Sequence, residues 1–198
     1  DSGADIIDIG GESTRPGSFP ITEEEEIGRV MGVIKELAPT VDIPISIDTT
    51  KPRVAERGLK AGATMINDIC GMRDETMISV AVEYGVTAVI AHMHGAPKTF
   101  KTDMMSGDAL PEIKRFLEER AARALDMGMK EKDIIVDPGI GFGKTPEQDM
   151  AIVENSGWFG GKHKVLIGPS RKRFLSSYYP NIDKDEATAI VCRKAADS

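Results

Sequence analysis

Six short runs of apolar, mostly β-branched residues each end in a polar group beside a turn. This repeat constrains the fold more than any other feature of the 198-residue chain. The six ends read Asp-Ile-Gly-Gly-Glu-Ser-Thr-Arg-Pro (8–16), Ser-Ile-Asp-Thr (46–49), Ile-Asn-Asp-Ile (66–69), Ala-His-Met-His-Gly (91–95), Val-Asp-Pro-Gly-Ile-Gly-Phe-Gly-Lys (136–144) and Ile-Gly-Pro-Ser-Arg-Lys (167–172). One polar cluster at the C-terminal end of each strand is how a parallel barrel builds a single active site from separate segments.

The intervening segments carry helical spacing. Thr22 with Glu25 reads as a capping box, followed by Ile27, Val30, Met31, Ile34 and Leu37. Pro52 suits a first helical turn, and Asp74 suits an N-cap. Leu110, Ile113, Phe116, Leu117, Ala121 and Ala124 mark a longer helix, Thr145 with Pro146 and Gln148 starts another, and residues 185–197 form a last one. Gly3, Gly62, Gly85 and Gly128 each come shortly before a strand, where a helix C-cap belongs. The predicted strands lie near 5–10, 43–48, 64–69, 87–92, 134–137 and 164–168, and they read as apolar on both faces.

Alternating strands and helices give an α/β fold with a parallel sheet. Polar ends on all six strands, rather than at one switch point, favour a (β/α)8 TIM barrel over a doubly wound sheet. About six of the eight βα units are visible, so residues 1–198 read as a single barrel domain that is incomplete at both ends. Asp1-Ser2-Gly3-Ala4 resembles a helix end, as does Lys194–Ser198. The expectation is one further unit on each side, since a six-stranded barrel leaves unpaired edges.

Apolar residues make up 40% of the chain and charged ones 29%, the balance of a soluble globular protein. No apolar run approaches the roughly 20 residues that span a bilayer. Cys70 and Cys192 lie far apart without metal spacing, and no signal-peptide pattern is visible, so a cytoplasmic protein with reduced thiols is expected. A net charge of −7 argues against nucleic acid as a partner and leaves small substrates open.

Residues 137–145 resemble a phosphate loop but miss the Walker pattern, because Pro138 stands where its first glycine belongs. Asp137 at a strand tip reads instead as a ligand-recognising acid, with glycines that let backbone approach. Asp48 could cap the next helix, and either Asn67 or Asp68 could be a turn residue. Taken together, Asp48, Asn67 and Asp137 suit a flat heterocycle with several N–H donors, which carboxylate and amide oxygens accept. His92 and His94 lack a third metal ligand and read as core or loop histidines, and His163 as solvated. Ser170-Arg-Lys-Arg173 at a barrel mouth suggests anion binding or stacking, and Ser13-Thr14-Arg15-Pro16 adds a hydroxyl and a guanidinium. No Ser/His/Asp triad or cysteine nucleophile stands out.

These motifs, together with Gly11-Glu-Ser-Thr-Arg-Pro-Gly17, His92-Met93, Gly95 and Pro97, occur in the order and spacing of the dihydropteroate synthases, which the chain resembles along its whole length. The resemblance implies a transferase of folate biosynthesis, a sulfonamide target. It would join 6-hydroxymethyl-7,8-dihydropterin diphosphate to p-aminobenzoate, releasing diphosphate with help from Mg2+. It implies that Asp48, Asn67, Asp137 and Lys172 line the pterin pocket, with Asp48, Asp137 and Lys172 catalytic. Thr14, Arg15, Pro16, Gly141, Phe142 and Ser170 would form the p-aminobenzoate and diphosphate side. The family's Asn-containing first-strand loop and last-strand Arg-x-His motif do not occur here. Metal ligands are therefore expected outside this segment, and the segment alone is expected to be inactive. A homodimer is implied, and little effect is expected from Asp149 where Asn is common. A pterin-binding methyltransferase domain and a non-catalytic pterin-binding module are the alternatives. The Gly11–Gly17 and Ser170–Lys172 motifs favour the synthase.

Overall fold

The computed structural model describes residues 3–13, 18–95 and 104–198. Six parallel strands form one sheet in sequence order: β1 (Ile7–Gly10), β2 (Ile45–Asp48), β3 (Met65–Asp68), β4 (Thr87–Ala91), β5 (Ile134–Asp137) and β6 (Lys164–Val165). The helices between and after them are α1 (Glu23–Leu37), α2 (Pro52–Ala61), α3 (Glu75–Tyr84), α4 (Leu110–Asp126), α5 (Pro146–Glu154), α6 (Ser156–Gly160), α7 (Leu175–Tyr178) and α8 (Lys184–Ala196). All six predicted strands are present, although β6 is shorter than expected. The two short helices α6 and α7 carry too few turns to leave a periodic signal.

The helix boundaries follow local chemistry. The Thr22 hydroxyl accepts the Glu25 N–H, yet the Glu25 carboxylate turns to Arg29 (2.6 Å) instead of closing a capping box. At α5 both halves of the box form between Thr145 and Gln148. The Asp74 carboxylate accepts the Thr76 N–H, and Pro52 takes the first turn of α2. Gly62, Gly85 and Gly128 adopt positive φ just past helix ends, as the repeat predicted.

Period-two alternation sorts the strand residues into two sets. Ile45, Ile47, Ile66, Ala88, Ile90, Ile134 and Val136 face the helices and merge with Val30, Ile34, Val54, Ile78, Ile113 and Leu117 in the main core. Each fully buried aliphatic side chain here contributes about 1.5–3 kcal/mol. The opposite, inner face is mixed and not apolar throughout as expected from sequence, with Met65, Val89 and Ala91 buried there beside polar residues. It carries Asp8 and Ser46, paired in register, then Asp48 opposite Asn67, and Asp137 opposite Ala91. Polar residues on the face of the sheet opposite the helices can hold a ligand, whereas helix-covered positions cannot.

Asp68 shows how pleat decides role. It follows Asn67 by one residue and so points the other way, where its carboxylate accepts the N–H groups of Cys70 (2.8 Å) and Met72 (2.9 Å). It is the turn residue of the pair, and Asn67 is left for the inner face.

Candidate active site

The C-terminal ends of β2, β3 and β5 bring together three of the predicted residues. Asp48 stands beside Asn67 across β2 and β3, and beside Gly10 across β1 and β2. Gly10 leaves room for it, since a Cβ there would lie 3.2 Å from Asp48 Oδ2. Burial pushes the Asp48 carboxyl up to about 7, and the charges of Asp8, Asp68 and Glu26 add to the rise, while Lys172 opposes it. Asp137 is buried, accepts the Gly139 N–H (2.7 Å) and is pushed up to about 6, again chiefly by burial.

Lys172 enters from the segment after β6. Its Nζ lies 4.3 Å from the centroid of the Phe142 ring, a cation–π distance. Its stem runs against Gly141, where a Cβ would meet Lys172 Cδ at 3.2 Å. Burial lowers its pKa, opposed by Asp137, Asp149 and Asp48. Its neighbours in the basic run do otherwise. Arg171 forms a two-pronged ion pair with exposed Asp185 of α8 (2.6 Å for both contacts), and Ser170 is exposed. The expectation of a three-cation patch at the mouth is corrected to one half-buried lysine. Thr14, Arg15 and Pro16 lie outside the described residues.

The loop after β5 is held from within by residues that sequence reasoning passed over. The buried Lys144 ammonium donates to the carbonyls of Gly139 (2.8 Å), Phe142 (3.1 Å) and His92 (3.4 Å). Burial lowers its pKa, opposed by Asp149 and Asp137. Asp149, expected to matter little, is buried and accepts the Gly141 N–H at 2.8 Å. Burial raises its carboxyl. Gly139 is the tightest point, with φ of 72° and space for a Cβ only 1.8 Å from the His92 carbonyl oxygen. Gly139→Ala should cost about 3 kcal/mol, the sum of left-handed strain and overpacking, and displace Phe142. Urea denaturation beside the wild type checks this, and an unchanged midpoint would refute it.

The histidines resolve differently. His92 is buried edge-on against Phe116 (centroids 5.0 Å apart), and burial pulls its pKa down to about 2, so it stays neutral. His163 is half-buried with Nδ1 out of contact with water, rather than solvated as expected.

A second missed group lies at the base of the β1–α1 loop. Lys51 bridges Glu12 and Glu26, the latter at 2.5 Å and fully buried. Glu12 also accepts the Ile21 N–H (3.3 Å), and Arg29 donates to the Gly11 carbonyl (2.9 Å). The signal in the sequence was Glu26 itself, an acid at helical spacing with Val30 and Ile34, on the stripe α1 buries.

The sequence matches the model of the pterin binding enzymes over residues 1–198. With an inner-face cluster of Asp48, Asn67, Asp137 and Lys172, the chain belongs to the pterin binding enzyme family. Its relatives within that family are dihydropteroate synthases. The chain is 43% identical over 197 residues to the one from Bacillus subtilis, covering 97% of this chain and 67% of that protein. It is 45% identical over 177 residues to the one from Clostridium beijerinckii, covering 88% of this chain and 63% of that protein. The structure superimposes on Xanthomonas albilineans dihydropteroate synthase with 4-aminobenzoic acid at a TM-score of 0.90, with 33% identity, over 98% of this chain and 71% of that one. The chain thus spans about two thirds of the length of these relatives. Its six-stranded parallel sheet with alternating helices is that of their TIM barrel.

Proposed function

We propose that this chain forms the pterin and p-aminobenzoate half of a dihydropteroate synthase. In the proposed reaction, 6-hydroxymethyl-7,8-dihydropterin diphosphate and p-aminobenzoate give 7,8-dihydropteroate and diphosphate. The observation that carries the reading is the set of acceptors Asp48, Asn67 and Asp137 on one face, with Lys172 stacked on Phe142 beside them. A solved Xanthomonas albilineans relative, 31% identical, is a complex with 7,8-dihydropteroate, which supports the same choice of product.

The chemistry follows from the residues. Asp137 and Asn67 would accept the amino and ring N–H groups of the pterin. As the bond from the pterin methylene to the diphosphate oxygen breaks, its electron pair leaves with diphosphate. Positive charge then develops on the methylene and spreads into the ring. Asp48, fixed beside the pterin, stabilises that charge electrostatically. A carboxyl whose pKa is pushed up to about 7 is drawn towards its ionised form by such a cation. The aniline nitrogen of p-aminobenzoate forms the new C–N bond and gives its proton to solvent. Lys172 and Phe142 hold the two rings together, which removes much of the entropic cost of bringing them into line.

Magnesium would belong with the leaving diphosphate. Among the described residues no group of three or more His, Cys, Asp or Glu side chains is placed to hold a metal ion, so they do not fit it. A homodimer in the cytoplasm completes the proposal; no helix among the described residues is long and apolar enough to cross a membrane.

The test is condensation of dihydropterin diphosphate with p-aminobenzoate and magnesium by the full-length parent protein, beside its Lys172→Ala variant. Dihydropteroate formation that falls at least about 100-fold in the variant is expected, as for loss of a fixed charge at a reacting centre. A folded full-length protein that binds pterin without forming product would point instead to a methyltransferase domain or a binding module.

A further inference from the structure

Asp8 shares the inner face with the candidate pterin residues, and neither the motifs nor the resemblance gave it a role. It sits in β1, two residues before Gly10, which pairs with Asp48. Asn67 Nδ2 donates to Asp8 Oδ2 at 3.1 Å across the intervening strand. The Asn67 backbone is anchored separately, because its carbonyl accepts the Thr49 N–H at 3.1 Å. The Asp8 contact therefore governs the side chain and not the strand.

A primary amide offers donors at one end and an acceptor at the other, and in two flipped orientations the ends exchange places. An ionised carboxylate can only accept. Pairing with Asp8 selects the orientation with the NH2 towards β1 and the oxygen turned away from it. We infer that Asp8 is a positioning residue for pterin recognition, locking the Asn67 amide so that its oxygen is presented to the amino and ring N–H donors of the ligand. The inference rests on the pterin-binding reading above. Burial raises the Asp8 carboxyl, and the Asn67 and Ser46 side chains oppose that rise, so the contact favours the ionised form that can only accept.

The experiment compares binding of pterin with that of lumazine, which carries an oxo group in place of the 2-amino donor, by fluorescence titration of the protein and its Asp8→Leu and Asp8→Glu variants. Asp8 is not a member of the apolar core, so these changes leave the packed core intact. The wild type should prefer pterin. In Asp8→Leu the amide is free to flip, and pterin affinity and the pterin-to-lumazine ratio should each fall about tenfold, a typical effect of one recognition hydrogen bond. Asp8→Glu keeps an acceptor and should retain most of the selectivity. A merely structural role would lower the unfolding midpoint and leave the ratio unchanged. Should Asp8→Leu fail to fold, Asp8→Asn takes its place, with a smaller fall because its amide can present either end. Unchanged selectivity in a folded Asp8→Leu or Asp8→Asn overturns the inference. Failure of the wild type to bind pterin would instead strike the functional reading on which it rests.

Discussion

Asp137→Ala should reduce pterin affinity by about 100- to 1000-fold, the scale of removing one charged partner from a buried, hydrogen-bonded site. Asp137 is buried at the tip of β5, so its loss removes a desolvated partner of the ligand. It is also a counter-charge for both Lys144 and Lys172, so alanine leaves two desolvated ammonium groups with less compensation. Part of the loss would therefore come from movement of the loop that Lys144 holds. Asp137→Asn separates the two effects. It keeps the shape and one acceptor oxygen, which can still take the Gly139 N–H, while removing the charge. Calorimetric titration with pterin should show the asparagine variant intermediate and the alanine variant weakest. Affinity within threefold of wild type in a folded Asp137→Ala would remove Asp137 from the pterin site.

The second large effect concerns Asp48 and pH. Its carboxyl stands at about 7 in the folded protein against an ordinary 3.8. Between those values the folded state holds a proton that the unfolded chain has released. Stability contributed by this group is therefore fully present below about pH 4 and is lost as pH rises through 7. The loss is up to about 4 kcal/mol, at 1.36 kcal/mol per tenfold change in proton affinity. Asp68 and Asp137, each raised to about 6, act in the same direction. The pocket stores charge repulsion and desolvation that a cationic transition state relieves. Asp48→Asn should accordingly be more stable than wild type at pH 8, by a few kcal/mol, and nearly equal to it at pH 4. It should also lose most of its condensation rate, because a neutral amide cannot stabilise the developing charge. Urea midpoints at the two pH values and initial rates check both halves. Equal midpoints for wild type and variant at pH 8 would show that Asp48 is not strained. In the wild type the rate should fall as pH drops below about 7, and Lys172→Met should move that limb upwards, since Lys172 is the charge that lowers the Asp48 pKa.

Much of this was legible in the chain. Strand positions, most helix starts and the parallel order follow from local periodicity and capping, because Thr145 and Asp74 act within three residues of themselves. Asp48, Asn67 and Asp137 were legible because an acid or amide at the tip of an apolar strand breaks the local pattern. Lys172 was not separable from Arg171 and Arg173 by composition. Only the turn after β6, with Arg171 at a φ of 53° and paired to Asp185, sends one cation into the pocket and keeps another on the surface.

The sequence by itself determined the α/β order, the six strand ends and the identity of the acceptors gathered there. Tertiary structure alone decided which strand face each residue shares, that Asp8 reaches Asn67 across a strand, and that Lys144, Asp149 and Glu26 are buried supports. The division has a physical cause. Propensity and capping act over a few residues, whereas desolvation and pairing of charges depend on groups brought together from 14 to 59 positions apart, as between Arg171 and Asp185 or Asp8 and Asn67.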